Sequence, residues 1–191
     1  MTNLVLASNS PRRQELLKKA GFNFKVFVRD FDESFPDDLP AKQVAEYLAI
    51  EKNHNYRKIL KEDTIITADT TVILGNEVLN KPKDSKHAAE MLQKLSGETH
   101  KVVCGVCISS PDKQHSFSDT TEVTFTKISE QESKFYISSF EPFDKAGAYG
   151  IQEWIGLTRI SSIKGSYYNV MGLPTHLLYE VLLNEFNIHP Y

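Results

Sequence analysis

Four cations and three carboxylates in this chain stand where polyphosphate chemistry would use them: Arg12, Arg13, Lys52 and Lys81 on one side, Asp32, Glu33 and Asp69 on the other. Magnesium is held by one or two carboxylates plus phosphate oxygens, and Lys or Arg offset charge growing on phosphoryl oxygens. The two arginines give the sharpest signal. Ser10 reads as a helix N-cap and Pro11 as the first helical residue, so Arg12 and Arg13 fall in the first turn. That turn carries the positive end of the macrodipole, where a cation costs a few tenths of a kcal/mol, up to about 1. Free backbone N–H groups, the Ser8 and Ser10 hydroxyls and two guanidinium forks there make a site for phosphate or carboxylate. Each residue also has an ordinary reading: solvated arginines at a helix start, solvated lysines, and Asp69 as a strand-end carboxylate satisfied by backbone N–H groups. Because its charge opposes the dipole, replacing Arg13 by Ala is expected to weaken phosphate handling and to leave stability unchanged or improved.

The elements that must carry these residues follow from periodicity and turn signals. Residues 4–7 are a short apolar run fit for a buried strand, and Gly21 supplies a left-handed cap after the first helix. Residues 24–28 alternate like a strand. Residues 29–40 hold five acids and two prolines, an exposed loop containing Asp32 and Glu33. Val44, Leu48 and Ile59 fall at roughly helical spacing within residues 41–60, with Lys52 among them. Residues 65–74 form an apolar strand interrupted by Asp69-Thr-Thr71, and Gly75-Asn76 turns into Val78-Leu79. Asp84 caps a helix through Leu95, ended by Ser96-Gly97, and residues 99–109 and 116–127 read as an antiparallel hairpin. Ser129 with Glu132 gives a capping box for a helix over residues 129–138. Residues 157–163 look like a strand between two glycine-punctuated stretches, and Pro174 opens an apolar helix to Phe186. This succession, without repeats or linkers, is that of a mixed α/β fold.

Composition sets the outer limits. With 191 residues, 40% hydrophobic and 25% charged, the chain is long enough for one sizeable core or for two small lobes sharing a cleft, and one compact unit of an ordinary globular kind is expected. A net charge of −3 gives no basic stripe, which argues against a nucleic-acid partner and leaves room for a local basic pocket. The first residues show no signal-peptide core and no run approaches a membrane span, so the expected location is cytoplasmic, with no membrane partner. Cys104 and Cys107 lie three apart on a strand, hence on opposite faces, and are expected as two reduced, half-buried thiols rather than a metal pair. The six histidines fall in no ligand pattern and receive no role. No GxxxxGK[ST] loop is present, which excludes a P-loop ATPase.

The chain closely resembles the Maf family of nucleoside-triphosphate pyrophosphatases, relatives of the inosine-triphosphatase fold. The resemblance runs over nearly the whole length, through Leu6-Ala-Ser-Asn-Ser-Pro-Arg-Arg-Gln-Glu-Leu-Leu17, Ala68-Asp-Thr70, Lys81-Pro82, Leu95-Ser-Gly97, Asp144-Lys-Ala-Gly-Ala-Tyr-Gly-Ile-Gln152 and Gly165-Ser-Tyr-Tyr-Asn-Val-Met-Gly-Leu-Pro174. It implies a single Maf-like domain over residues 1–191, an α/β fold with an inosine-triphosphatase-like mixed sheet, and two lobes around a cleft. It also implies metal-dependent hydrolysis of a nucleoside triphosphate to monophosphate and pyrophosphate. Asp69 matches the family's catalytic base and, with Glu33, its carboxylates for a divalent Mg2+ or Mn2+. Ser8, Arg12, Arg13, Lys52 and Lys81 match its phosphate-binding positions. A homodimer is left open.

Gly-Ala-Tyr-Gly-Ile-Gln resembles the branch acting on dTTP and UTP, in which Arg12, Thr70 and Gln152 match the specificity positions. A uracil or thymine edge offers an acceptor O4 beside a donor N3–H, and a glutamine amide offers the complementary pair. Where many relatives follow this Gln with Gly-x-Gly, here Glu153-Trp-Ile155 intervenes, an acid and a large aromatic placed to narrow or shift base preference. Tyr149, Tyr167 and Tyr168 are read either as base-stacking rings or as core and rim packing. The rival readings are a nucleotide-binding regulator of cell division without turnover and a reader of RNA or protein phosphates, the latter disfavoured by the acidic balance.

Overall fold

The computed structural model describes residues 3–31 and 34–191, so Asp32 and Glu33 lie outside the described residues. The element order is β1 (Leu4–Leu6), α1 (Pro11–Lys19), β2 (Lys25–Val26), α2 (Ala41–Arg57), β3 (Thr64–Leu74), β4 (Glu77–Leu79), α3 (Ser85–Leu95), β5 (Thr99–Ser109), β6 (Gln114–Phe125), α4 (Glu130–Phe140), α5 (Trp154–Arg159), β7 (Ile160–Lys164), α6 (Tyr167–Met171) and α7 (Thr175–Phe186). The strands form a mixed sheet in the order β2-β1-β3-β5-β6-β7, with β4 paired to β3. Two compact units divide the chain. The first holds the chain through Asp69, then Cys104–Asp119 and Gly172–Tyr191; the second holds Thr70–Val103 and Thr120–Met171. No helix among the described residues is long and apolar enough to cross a membrane.

In the first unit β1 pairs in parallel with β2 and with β3, Leu6 opposite Ile66. β1 stops there while β3 runs on to Asp69, so the turn from β1 into α1 lies past the end of the paired register, at the carboxyl end of β1. α2 buries Val44, Ala45, Leu48, Ala49, Asn53 and Tyr56, a stripe at helical spacing. Asn53 is fully buried, and its amide donates to the carbonyls of Ile65 at 3.3 Å and Cys107 at 3.1 Å. The Thr67 hydroxyl donates to the Ala49 carbonyl at 2.7 Å. A Cβ on Gly105 would lie 2.3 Å from the Glu46 backbone, so only glycine lets α2 approach β5 this closely. Cys104 and Cys107 form no disulfide and are fully buried, not half-buried as expected, because both faces of β5 are covered. Burial pushes the Cys107 thiol up to about 12.

The second unit packs Leu92, Leu95, Val102, Val123, Phe125, Tyr136, Ala148, Tyr149 and Ile155 into one core. The caps read from the sequence are in place: Asp84 accepts from the His87 N–H, and Ser129 and Glu132 make a reciprocal capping box. Three expectations change. β3 is unbroken through Asp69-Thr-Thr71, since a polar side chain does not stop a strand whose backbone stays paired, as Val72 does with Leu79. β2 is reduced to two residues because Val26 and Val28 face solvent at the sheet edge. Residues 157–159 belong to α5, where the Leu157 N–H donates to the Glu153 carbonyl. There Ile155 goes into the core and Leu157 is left 85% exposed, so the apolar letters that suggested a strand do not share a face.

His100 is buried in the second unit, its Nε2 bonded to the Tyr149 hydroxyl at 2.7 Å, with the Phe125 ring 5.2 Å away. Burial lowers its pKa from 6.5 to about 4. Between those values the unfolded chain binds the proton and the folded chain does not, so this contribution is complete above pH 6.5 and is lost as pH falls toward 4. Urea unfolding is expected to show about 2 kcal/mol less stability at pH 5 than at pH 7 from this group, on the 1.36 kcal/mol-per-unit conversion. That difference should be largely absent in His100→Gln; an equal loss in the variant would assign the acid sensitivity elsewhere.

Candidate active site

Three of the predicted phosphate residues, Ser8, Arg12 and Arg13, gather at the start of α1. Ser10 is the N-cap, its hydroxyl accepting from the Arg13 N–H, with Pro11 at the first helical position. Ser8 is buried; its hydroxyl accepts from the Ser10 N–H and from Arg13 Nη1, both at 3.3 Å. Arg13 also donates through Nη1 to the Ala68 carbonyl and through Nε to the Gly172 carbonyl, each at 2.8 Å. Gly172 O accepts the Cys104 thiol as well, at 3.2 Å. Arg12 follows on the same turn, half-buried. Arg13 therefore binds protein acceptors, a contribution to stability that the helix-dipole argument leaves out.

One residue beyond Ala68, Asp69 pairs with Lys52: Nζ lies 2.7 Å from Oδ1, and the two side chains are 16% and 15% exposed. α2 delivers Lys52 through its neighbour Asn53, which is anchored to β3 and β5. The sequence placed Lys52 among phosphate cations, and the structure places it on the candidate base. Ser8, Arg13, Lys52 and Asp69 are thus linked through hydrogen bonds and adjacent backbone within one unit. A single lysine leaves this carboxylate with lone pairs for water or a cation, since it can accept about four hydrogen bonds.

Thr70, Lys81 and Gln152 belong to the second unit. Thr70 is half-buried on β3; Lys81 and Gln152 are exposed. Lys81 follows Asn80, whose carbonyl accepts from the Gly147 N–H at 3.3 Å, so the segment carrying Lys81 is tied to the glycine-rich loop that carries Gln152. Gly147 adopts φ +69°, and a Cβ there would meet the Val72 side chain at 3.0 Å. Tyr149 is buried in the core, and Tyr167 and Tyr168 are partly exposed and packed edge-on to each other.

The chain matches the family described as Maf-like protein over residues 3–185. The chain belongs to the Maf family. Among curated relatives, a protein of Phocaeicola vulgatus named dTTP/UTP pyrophosphatase is 49% identical over 181 residues, covering 94% of each chain. One of the same name from Flavobacterium psychrophilum is 47% identical over 185 residues, 96% of this chain and 95% of that one. In fold, the Maf chain is similar to the Ham1 protein of Staphylococcus aureus, with TM-score 0.51 and 20% identity over 65% of this chain and 72% of that one.

Sequence reasoning singles out Glu153 beside Gln152 but misses the groups that hold it. Lys145, its side chain 9% exposed, pairs with Asp144 Oδ1 at 2.7 Å and Glu153 Oε1 at 3.1 Å. The Tyr136 hydroxyl donates to Glu153 Oε2 and accepts from the Gly150 N–H at 3.0 Å. Desolvation, followed by the bond to Glu153, raises the Tyr136 phenol, so it remains a donor. Tyr136 lies 14 residues from Gly150 in sequence, and no local pattern marks it.

Arg13→Ala strips donors from the carbonyls of Ala68 and Gly172 in a half-buried setting. It is expected to cost about 1–3 kcal/mol of stability, and urea unfolding measures it. Unchanged or higher stability would restore the helix-dipole expectation.

Proposed function

We propose that this Maf protein hydrolyses dTTP and UTP to the nucleoside monophosphate and pyrophosphate, cleaving between the α- and β-phosphates, as a scavenger of the nucleotide pool. The observation that carries the reading is the half-buried Asp69–Lys52 pair one residue from the carbonyl held by Arg13. A carboxylate so placed orients water and takes its proton as the oxygen attacks the α-phosphorus. Pyrophosphate leaves with the bonding pair. Arg12, Lys52 and Lys81 offset the charge on it. Arg13 serves the same site by holding Ser8 and the backbone next to Asp69. The names of the relatives support the nucleotide class, and Thr70 and Gln152 are assigned to base recognition. The partner is a small-molecule nucleotide met in the cytoplasm.

Asp69 is a hard oxygen donor of the kind Mg2+ or Mn2+ takes together with substrate phosphate oxygens, so it fits a divalent cation. When bound, that ion would neutralise charge across the triphosphate. Glu33, the second carboxylate implied by the resemblance, lies outside the described residues.

Asp69→Asn keeps the size and removes the base. It is expected to lower pyrophosphate release about 10²- to 10⁴-fold, with the fold intact by circular dichroism. Near wild-type turnover by the folded variant would remove Asp69 from the mechanism, and nucleotide binding without any wild-type turnover would favour the regulator.

Gln152→Glu keeps an acceptor for N3–H but turns a second anionic oxygen toward O4, leaving a substrate acceptor unpaired at about 1–3 kcal/mol. The specificity constants for dTTP and UTP are expected to fall at least about tenfold, while relative activity toward GTP, whose edge is rich in N–H donors, rises. Unaltered ratios among the three substrates would mean that Gln152 does not touch the base.

A further inference from the structure

Gln152 is the exposed member of a tight turn whose two ends are held by the same side chain. The turn runs from Gly150 to Glu153, closed by the Glu153 N–H donating to the Gly150 carbonyl at 3.1 Å. The Tyr136 hydroxyl, reaching in from α4, accepts from the Gly150 N–H at one end and donates to Glu153 Oε2 at the other. Glu153 Oε1 is taken by Lys145, from the start of the same loop. Between the ends, Ile151 is buried in the core and Gln152 faces solvent.

Close packing leaves the turn little freedom. A Cβ on Gly150 would lie 2.8 Å from the Glu153 carboxyl carbon, so glycine is what lets the carboxylate fold back under the turn. A Cβ on Gly156 would lie 1.9 Å from the Ile151 carbonyl oxygen, so the first turn of α5 abuts the same backbone. Ahead of the turn, Gly147 and Ala148 both adopt left-handed φ, +69° and +59°. Ala148 is fully buried in that conformation, which a residue with a Cβ holds only when its surroundings impose it.

We propose that Tyr136, Glu153 and Lys145 form a clamp that presents the Gln152 amide in one orientation and so sets how strictly the enzyme discriminates the base. The proposal rests on the reading of Gln152 as the residue that meets uracil or thymine. The three are positioning residues: they act through the turn and bear no part in phosphoanhydride cleavage. The Glu153-Trp-Ile155 departure thereby gains a function. Glu153 gives the buried Lys145 ammonium and the Tyr136 phenol a shared acceptor, and the specificity residue is seated between its own turn's two anchored ends.

The test is a cycle of Tyr136→Phe, Gln152→Ala and the double variant, with specificity constants measured for dTTP, UTP, CTP and GTP. Wild type is expected to prefer dTTP and UTP, and Gln152→Ala to lose that preference. Tyr136→Phe should lower the dTTP-to-CTP and UTP-to-GTP ratios by about fivefold or more, through higher KM for the thymine and uracil substrates with kcat nearly kept. Added to Gln152→Ala, it should change the ratios no further, because the two act through one contact. Glu153→Gln, which keeps shape and loses charge, should move the ratios in the same direction and serves if Tyr136→Phe folds poorly. A merely structural clamp would lower all four substrates alike. Equal losses, or ratios that fall additively in the double variant, overturn the clamp while leaving the Gln152 reading standing. A wild type without preference, or Gln152→Ala with preference intact, overturns both.

Discussion

The Arg13 guanidinium reaches from the first turn of α1 to the carbonyls of Ala68 and Gly172 and to the Ser8 hydroxyl, so segments far apart in sequence converge on one planar fork. Lysine, a compact charge on a flexible stem, would not hold these acceptors at fixed relative positions. Each contact has a structural consequence. The bond to Ala68 sets the backbone that precedes Asp69. The bond to Gly172, shared with the Cys104 thiol, sets the entry to α7. The bond to Ser8 sets the turn between β1 and α1. An arginine in the first turn of a helix opposes the dipole, and its hydrogen bonds outweigh that cost, since each bond involving a charged group contributes more than the few tenths of a kcal/mol at stake.

A second anchor places the ammonium on the carboxylate. Asn53 is a polar residue on the buried stripe of α2, where an unpaired amide would be costly. Its donors meet carbonyls of both β3 and β5, and its acceptor takes the Ser109 hydroxyl at 2.5 Å. These bonds fix the rotation of α2 about its axis, and with it the direction in which the adjacent Lys52 leaves the helix. The Lys52–Asp69 pair is thus set by the core rather than by attraction between two mobile side chains, whose net worth at a protein surface is small.

What could be read from the sequence was what is local. Ser10, Asp84 and Ser129 cap their helices because a cap needs only residues within one turn. Their signals sit side by side in the chain. Asp69 and Lys52 stand out in the sequence as candidates, but their pairing does not, because a contact across 17 residues depends on how α2 seats against the sheet. The cysteines were placed on opposite faces of β5, but their depth depends on neighbouring elements that no spacing reveals. The partners of Arg13 are hidden for a related reason: the dipole argument is local and its carbonyl acceptors are distant. Tyr136 gave no sign at all, because a tyrosine on a helix reads as core until the loop it reaches is known.

Two acids, one in each unit, show how environment separates the behaviour of one functional group. Glu153 commits one oxygen to an ammonium and the other to a phenol, each itself largely buried, so its charge is absorbed in holding a turn. Asp69 has a lysine on one oxygen and stands at the point where β3 passes from buried to half-buried residues. A carboxylate with lone-pair capacity in reserve can accept from water, whereas one enclosed by two donors resists any change of partner. The difference lies in how completely each acid is satisfied: Asp69 keeps acceptor capacity open to water, and Glu153 is spent on holding its turn.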